Sequence, residues 1–296
     1  MKEFLVDRQE AGKRLDRFME EKEGWPHGMV MKAIRTKKLK VNGRKEEGAY
    51  RLCEGDRVAS YVLEKEKPRD FIIIYEDENI LVVHKKAGIL CMDSTGKMKR
   101  TLIDGVNAYL AEKGEGQAYM VHRIDFNTGG LMVIAKNKES KEILDRVIRN
   151  HEMEKTYLCA VSGRLPAEEG VLTHYLFKDA KQNRVFLSDE SVKGSKTAVT
   201  RYRVRQEKNG LSLVECRLMT GRTHQIRSQL AYIGHPILGD DKYGKKETNR
   251  SYGEKGQLLC AWKISFSFRE KGHLLSYLDG QAFTTSEVPF IKKYFS

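Results

Sequence analysis

The sequence predicts an α+β protein in two parts, a small N-terminal module over residues 1–63 and a larger domain over residues 71–296, joined by a linker at 64–70. Three observations predict it. Along the larger part, short apolar strand signals alternate with only a few amphipathic helix signals. Glu64 to Asp70, Glu-Lys-Glu-Lys-Pro-Arg-Asp, is charged, lacks apolar side chains apart from its proline, and has the composition of a linker. Finally, Tyr119 to Val121, a polar turn at Asn127 to Gly130 and the continuous apolar run Leu131 to Ala135 read as strand, loop and buried strand.

In the first part, Leu15, Phe18 and Met19 recur at i, i+3 and i+4, so Arg14 to Glu23 predicts a helix with one apolar stripe, stopped by Trp25-Pro26. A second helix is expected over Met29 to Thr36. Strands follow at Leu39 to Val41 and Arg57 to Ala59, with turns at Asn42-Gly43 and Glu54-Gly55-Asp56. Phe71 to Ile74 and Ile80 to Val83 read as a hairpin, and Leu102 to Ala111 as a helix. Asn137 caps an expected helix whose Ile143, Leu144, Val147 and Ile148 share a face. Lys155 to Val161, segments within Val171 to Val204, and Leu211 to Leu218 read as strands, with a basic loop at Lys178, Lys181 and Arg184. Thr220-Gly221 stops the last of these strands. Thr223 is then expected to cap a helix on which Ile226, Arg227 and Leu230 share a face.

Composition narrows the function. With 40% hydrophobic and 32% charged residues the chain is an ordinary globular one, and its formal charge of +13 makes a polyanion, nucleic acid first, the expected partner. No apolar run is long enough to span a membrane, and the N-terminus turns charged too early for a signal peptide. Five scattered cysteines, never as C-x-x-C, argue for a reducing cytoplasm and against disulfides or zinc. The eight histidines show no metal-ligand spacing, and no glycine-rich nucleotide loop is present, so neither metal nor cofactor is expected.

Two clusters carry chemistry. In His122-Arg123-Ile124-Asp125, a partly desolvated carboxylate two residues from Arg123 is expected to stay ionised at neutral pH, because nearby positive charge outweighs desolvation. That is what general-base or covalent chemistry needs, although an R-x-D pair taken alone is as a rule a loop salt bridge. Across Met31 to Lys45, Lys32, Arg35, Lys37, Lys38, Lys40, Arg44 and Lys45 occur without one acid. Such a patch would meet a phosphate backbone with several charges at once; a solvated lysine face is the bland alternative.

His122-Arg123-Ile124-Asp125 followed by Thr128-Gly129-Gly130-Leu131 resembles the H-R-L-D-x-x-T-S-G-L signature of the RluA-type pseudouridine synthases, with Gly129 at the usual serine and Ile124 at the usual leucine. Tyr75 to Gly88 resembles the family's first motif, with Lys86 replacing the proline of K-P-A-G. Lys155-Thr156-Tyr157 resembles its K-x-Y strand, and Gly221 to Arg227 its G-R-T-H-Q-[I/L]-R segment. Leu258 to Phe266 resembles its closing strand, with Cys260 replacing a histidine. Arg14 to Phe18, Ile34-Arg35, Lys40 to Gly43 and Gly55 to Val58 resemble the alpha-L RNA-binding module shared with a ribosomal small-subunit protein.

The resemblance implies a mixed, mainly antiparallel sheet flanked by helices with a cleft across its middle, and isomerisation of uridine to pseudouridine in RNA without a cofactor. It implies Asp125 as the indispensable residue, Arg227 as its ion-pair partner and Tyr157 against the target base. Arg123, His122, Arg222, His224 and Gln225 would be substrate contacts, and Lys32, Arg35, Lys37, Lys38, Lys40 and Arg44 RNA contacts. The expected substrate is large-subunit ribosomal RNA, with transfer RNA as the alternative, and the chain is expected to act as a cytoplasmic monomer with no membrane partner. A non-catalytic RNA-binding or ribosome-assembly factor would explain the charge. It would not explain why three separated segments each supply a residue of one constellation.

Overall fold

The computed structural model describes residues 1–62, 69–93, 100–179 and 184–296. Residues 64–68 of the expected linker and Lys181 of the expected basic loop lie outside them. The chain divides into two compact units, Met1–Pro68 and Arg69–Ser296.

The first unit holds β1 (Lys2–Leu5), α1 (Leu15–Glu23), α2 (His27–Arg35), β2 (Leu39–Val41) and β3 (Arg57–Ser60), with the strands in the order β1-β3-β2. Leu15, Phe18 and Met19 of α1 are buried with Val30 and Ala33 of α2 against Leu39, Val41 and Val58 of the sheet. Gly24, in the left-handed region at φ 64°, ends α1, as glycine can without strain. Strand β1 escapes a pattern reading because it is an exposed edge strand in which only Phe4 is even half-buried, so no alternation marks it.

The second unit is built on one 11-stranded sheet. In chain order come β4 (Phe71–Glu76), β5 (Ile80–Lys85), α3 (Leu102–Glu112), β6 (Tyr119–Met120), β7 (Gly129–Ala135), α4 (Lys138–Arg149), β8 (Met153–Ser162) and β9 (Glu169–Asp179). There follow β10 (Arg184–Ser188), β11 (Lys196–Lys208), β12 (Leu211–Leu218), α5 (Gln225–Tyr232), α6 (Lys246–Ser251), β13 (Leu259–Phe266), β14 (Ala282–Thr284) and α7 (Pro289–Tyr294). The strand order is β10-β9-β11-β12-β8-β13-β7-β5-β4, with β14 on β13 and β6 on β7. Among the described residues every pairing in this sheet is antiparallel except β13 with β7, where Cys260 faces Gly129 and Ala261 faces Gly130. The fold is thus mixed α+β on a mainly antiparallel sheet.

Strands β5 and β7 read as unbroken apolar runs because helices cover both their faces. Leu131 and Val133 pack with Val82 against Ile143, Leu144 and Val147 of α4. Met132 and Ile134 pack with Leu81 and Val83 against Leu102, Val106 and Leu110 of α3. Both helices start on side-chain caps: Thr101 and Asp104 form a reciprocal capping box on α3, and Asn137 accepts the Ser140 N–H at 2.8 Å on α4. Further along the sheet, Tyr157, Cys159 and Val161 of β8 meet Ile226 and Leu230 of α5, while Leu158 and Ala160 meet Phe290 and Phe295 at the C-terminal end. Ile124 packs on both the α3 cluster and the α5 cluster. The loop before β7 therefore lies between those two helices, on one face of the sheet. Among the described residues no helix is long and apolar enough to cross a membrane.

Candidate active site

The loop from Val121 to Thr128 is held at several points. His122 Nε2 accepts the Val133 N–H at 3.0 Å, so that nitrogen carries no proton. Its Nδ1 is buried without a hydrogen bond among the described residues, and burial, with a smaller push from Lys155, drives its pKa down to about 3. His122 is accordingly a neutral acceptor built into the loop's base. Thr128 donates its N–H to the Asp125 carbonyl at 3.1 Å, and its hydroxyl accepts from Gln257 at 2.6 Å. The Phe126 carbonyl accepts from Gly88 N–H at 2.9 Å and from the Lys85 ammonium at 3.1 Å.

Lys85, at the end of β5, is fully buried and also donates to the carbonyls of Ile89 at 2.7 Å and Lys86 at 3.1 Å. Burial lowers its pKa to about 8. It ties the 86–89 turn to the Asp125 loop. Where the family motif has proline, Lys86 donates its backbone N–H to the Asp70 carbonyl at 3.0 Å, a bond proline could not make.

Asp125 is half-buried, and Arg227 Nη1 donates to its Oδ2 at 2.9 Å across 102 residues of sequence. The partner is not Arg123, which is exposed and makes no ion pair among the described residues. Arg227 is the third residue of α5, whose start differs from expectation. Thr223 does not cap it; His224 takes the capping position at φ 51°, without a side-chain cap, and the helix begins at Gln225.

That start leaves Arg227 buried, with its Nε on Asp240 Oδ2 at 2.6 Å and its Nη2 on Asp240 Oδ1 at 3.0 Å. Burial opposes the charge on both groups, but their mutual hydrogen bonds outweigh it, raising the arginine's pKa and lowering the aspartate's. Asp240 is not among the site residues expected from the sequence. Its side chain is fully buried and its Oδ1 accepts the N–H groups of Lys242 at 2.9 Å and Tyr243 at 3.0 Å.

Tyr157 stands on the same face of β8 as the residues that meet α5, and is buried. Burial first, and the charge of Asp125 second, raise its pKa, so it remains a phenol at neutral pH. A phenol can stack and donate a hydrogen bond but cannot take up a proton. Of the remaining expected substrate contacts, Arg222 is exposed, with Nε on the Thr197 carbonyl at 3.1 Å. His224 is half-buried, its Nδ1 at 2.9 Å from the Tyr243 hydroxyl, and burial lowers its pKa.

Gln225 is buried, and both ends of its amide are bonded inside the fold, to Thr220, Arg222, Val199 and Thr200. It presents no free polar atom in this arrangement. The Cys260 side chain lies in the cluster with Leu158, on the sheet face away from Asp125. At Gly129 an added Cβ would meet the Lys85 carbonyl at 3.4 Å, an ordinary contact, so glycine is not required there.

In the first unit Lys32, Arg35, Lys37, Lys38 and Arg44 are exposed, and Lys40 is half-exposed with its ammonium 5.2 Å from the Tyr61 ring centre. None of the six is ion-paired among the described residues. Among those residues no group of three or more His, Cys, Asp or Glu side chains is placed to hold a metal ion.

Residues 79–232 match the model of a family described as RNA pseudouridylate synthase. The chain is 31% identical over 286 residues, 93% of its length and 92% of the relative's, to an RNA pseudouridine synthase of Bacillus subtilis (strain 168), YlyB, itself named as uncharacterized. It is 31% identical over 271 residues, 86% of its length and 84% of the relative's, to ribosomal large subunit pseudouridine synthase C of Escherichia coli (strain K12). In fold it is similar to human RNA pseudouridylate synthase domain containing 4, with a TM-score of 0.59 and 20% identity over 72% of this chain and 87% of that one.

Proposed function

The chain belongs to the RNA pseudouridylate synthase family, and from that premise we propose that it isomerises uridine in large-subunit ribosomal RNA, acting as a cytoplasmic monomer with Asp125 as the reacting carboxylate. The observation that carries the site reading is the 2.9 Å hydrogen bond from Arg227 to Asp125, made by residues 102 positions apart at the edge of a half-buried loop. The ribosomal reading is supported by the name of the Escherichia coli relative.

In the reaction the bond from N1 to the ribose breaks, the base turns, and C5 bonds to the same ribose carbon as its proton leaves and N1 gains one. Nothing is oxidised and no group is added, so no co-reactant enters. Two routes open it, covalent attack on the nucleoside or proton removal from the ribose, and both need one carboxylate oxygen facing the substrate. Tyr157, a protonated phenol in a dry wall, suits stacking on the uracil. The base has to leave its stack, at a cost of about a few kcal/mol. In this reading Arg123, exposed two residues from Asp125, fills the gap and bonds phosphate, as a guanidinium is able to do.

Residues 1–63 serve in this reading as an alpha-L RNA-binding module, and 71–296 as the catalytic domain. Charge reversal of Lys32, Arg35, Lys37 and Lys38 together is expected to weaken RNA binding at least about tenfold and to flatten its salt dependence. Arg123→Ala should instead slow turnover more than it weakens binding. Equal slopes in the first case, or unchanged turnover in the second, would remove those assignments.

The activity itself is tested by tritium release from RNA labelled at uridine C5, using ribosomal and transfer RNA from a synthase-deficient strain in separate arms. Release from the ribosomal arm is expected. Release from transfer RNA alone would correct the substrate, and none from either would favour a binding protein.

A further inference from the structure

We infer that Phe126 is a base-stacking site of this chain: its ring takes the base of the nucleotide adjoining the target uridine and so steadies the opened RNA beside Asp125. The inference rests on the reading of Asp125 as the reacting carboxylate.

A large apolar side chain standing singly in water is common on protein surfaces. Phe126 differs in how its backbone is held. Asp125 to Thr128 form a turn, closed by the Thr128 N–H on the Asp125 carbonyl at 3.1 Å, with Phe126 the first of its two central residues. The Phe126 carbonyl accepts from Gly88 N–H at 2.9 Å and from the buried Lys85 ammonium at 3.1 Å. The backbone is therefore fixed from the inside, while the ring is left 45% exposed.

The same loop has core positions for apolar side chains and fills them. Val121 packs on the cluster under α4, and Ile124 on those under α3 and α5. Phe126, the largest apolar side chain of the loop, enters none of these clusters. Among the described residues its ring has no aromatic partner. A second apolar side chain stands on the neighbouring segment: Met92, 41% exposed, follows Cys91, whose thiol donates to the Ile124 carbonyl at 3.2 Å. The two segments are bonded to each other, and each leaves an apolar side chain in solvent next to a charged site.

A nucleobase is the part of RNA that fits a flat apolar ring, because every base has a π-face, whereas ribose and phosphate have none. The target uracil is faced by Tyr157 in this reading. Because the RNA strand is continuous, drawing the uridine to Asp125 brings the adjoining nucleotide to the mouth of the site, where its base has lost its own stack. A ring fixed one residue from Asp125 replaces that lost partner.

The test uses the full-length protein and a synthetic RNA spanning a uridine that the parent modifies in ribosomal or transfer RNA, tritiated at C5 of that uridine. Separate arms carry an abasic residue at its 5′ or its 3′ neighbour. The second-order rate of single-turnover tritium release is read for the parent, Phe126→Ala, Phe126→Leu and Phe126→Trp, beside thermal melting. Phe126→Ala is expected to lose about tenfold on the intact RNA, the scale of one base–aromatic stack, and to melt within about 2 °C of the parent because the ring lies outside the core. An abasic residue at one of the two neighbours is expected to cost the parent a similar factor and Phe126→Ala less than about twofold, the coupling that a direct contact produces. Phe126→Trp should stay within about threefold of the parent, and Phe126→Leu, apolar but not aromatic, should fall with alanine.

An alanine variant within threefold of the parent, a leucine variant as fast as the parent, or equal abasic losses in parent and alanine variant at both neighbours would each overturn the inference. So would rates that follow the melting temperature across the variants, since the ring would then belong to the fold. A parent that releases no tritium from any RNA removes the activity reading and this inference together, whereas an active parent with an equally active alanine variant removes this one alone.

Discussion

Asp125→Asn is expected to lower tritium release by at least about four orders of magnitude, the scale seen when a group that reacts with substrate is removed, while RNA binding stays within about threefold of the parent. The contrast follows from where the side chain sits. An asparagine oxygen can still accept from Arg227 Nη1, and Arg227 keeps both of its hydrogen bonds to Asp240, so no buried charge is stranded. The loop's anchors at His122, Phe126 and Thr128 do not involve the carboxylate. What the substitution removes is an anionic oxygen capable of attacking the nucleoside or accepting a proton from it. Single-turnover assays beside filter binding measure both quantities. A variant that turns over at even a hundredth of the parent rate would move the chemistry to another residue.

Gly130→Ala is expected to destabilise the second unit by about 3 kcal/mol or more, read as a loss of roughly 6–12 °C in melting temperature. Gly130 sits at φ 119°, a conformation L side chains rarely adopt. A Cβ there would lie 2.3 Å from the Ala261 carbonyl oxygen and 2.4 Å from its nitrogen. These are backbone atoms of β13 in the parallel pairing with β7, so the clash cannot be relieved by a rotamer change. Either the two strands part or Gly130 changes its backbone, and both move the loop that carries Asp125. Gly129→Ala, where the nearest backbone atom is 3.4 Å away, is the control and should melt near the parent. If both variants melt alike, the close approach is not what holds the strands in register.

How much of this was legible in the sequence differs from residue to residue. The runs in β5 and β7, the apolar face of α4 and its Asn137 cap follow from spacing and side-chain chemistry, and each lies within a residue or two of its expected bounds. The family followed from short motifs of high specificity. Strand β1 was invisible because an exposed edge imposes no pattern. The start of α5 misled because a left-handed His224 depends on tertiary contacts, here the Tyr243 hydroxyl, and not on capping propensity at Thr223. Sequence proximity suggested Arg123 beside Asp125, but two residues in a turn need not point together, and the guanidinium that arrives belongs to α5. Asp240 stands out in the sequence only as half of the acidic pair Asp240-Asp241 after Gly239, which reads as a turn, and a carboxylate in such a turn normally faces water. Only the fold reveals that this one is enclosed.

The one parallel neighbour of β7 also bears on how the molecule is made. Ala261 must lie against Gly130 before the Asp125 loop has its final support. A ribosome synthesising this chain releases the loop long before β13. Until Cys260 and Ala261 have emerged, the Gly129–Gly130 end of β7 lacks its neighbouring strand, whereas the far end, at Ile134 and Ala135, can already pair with β6.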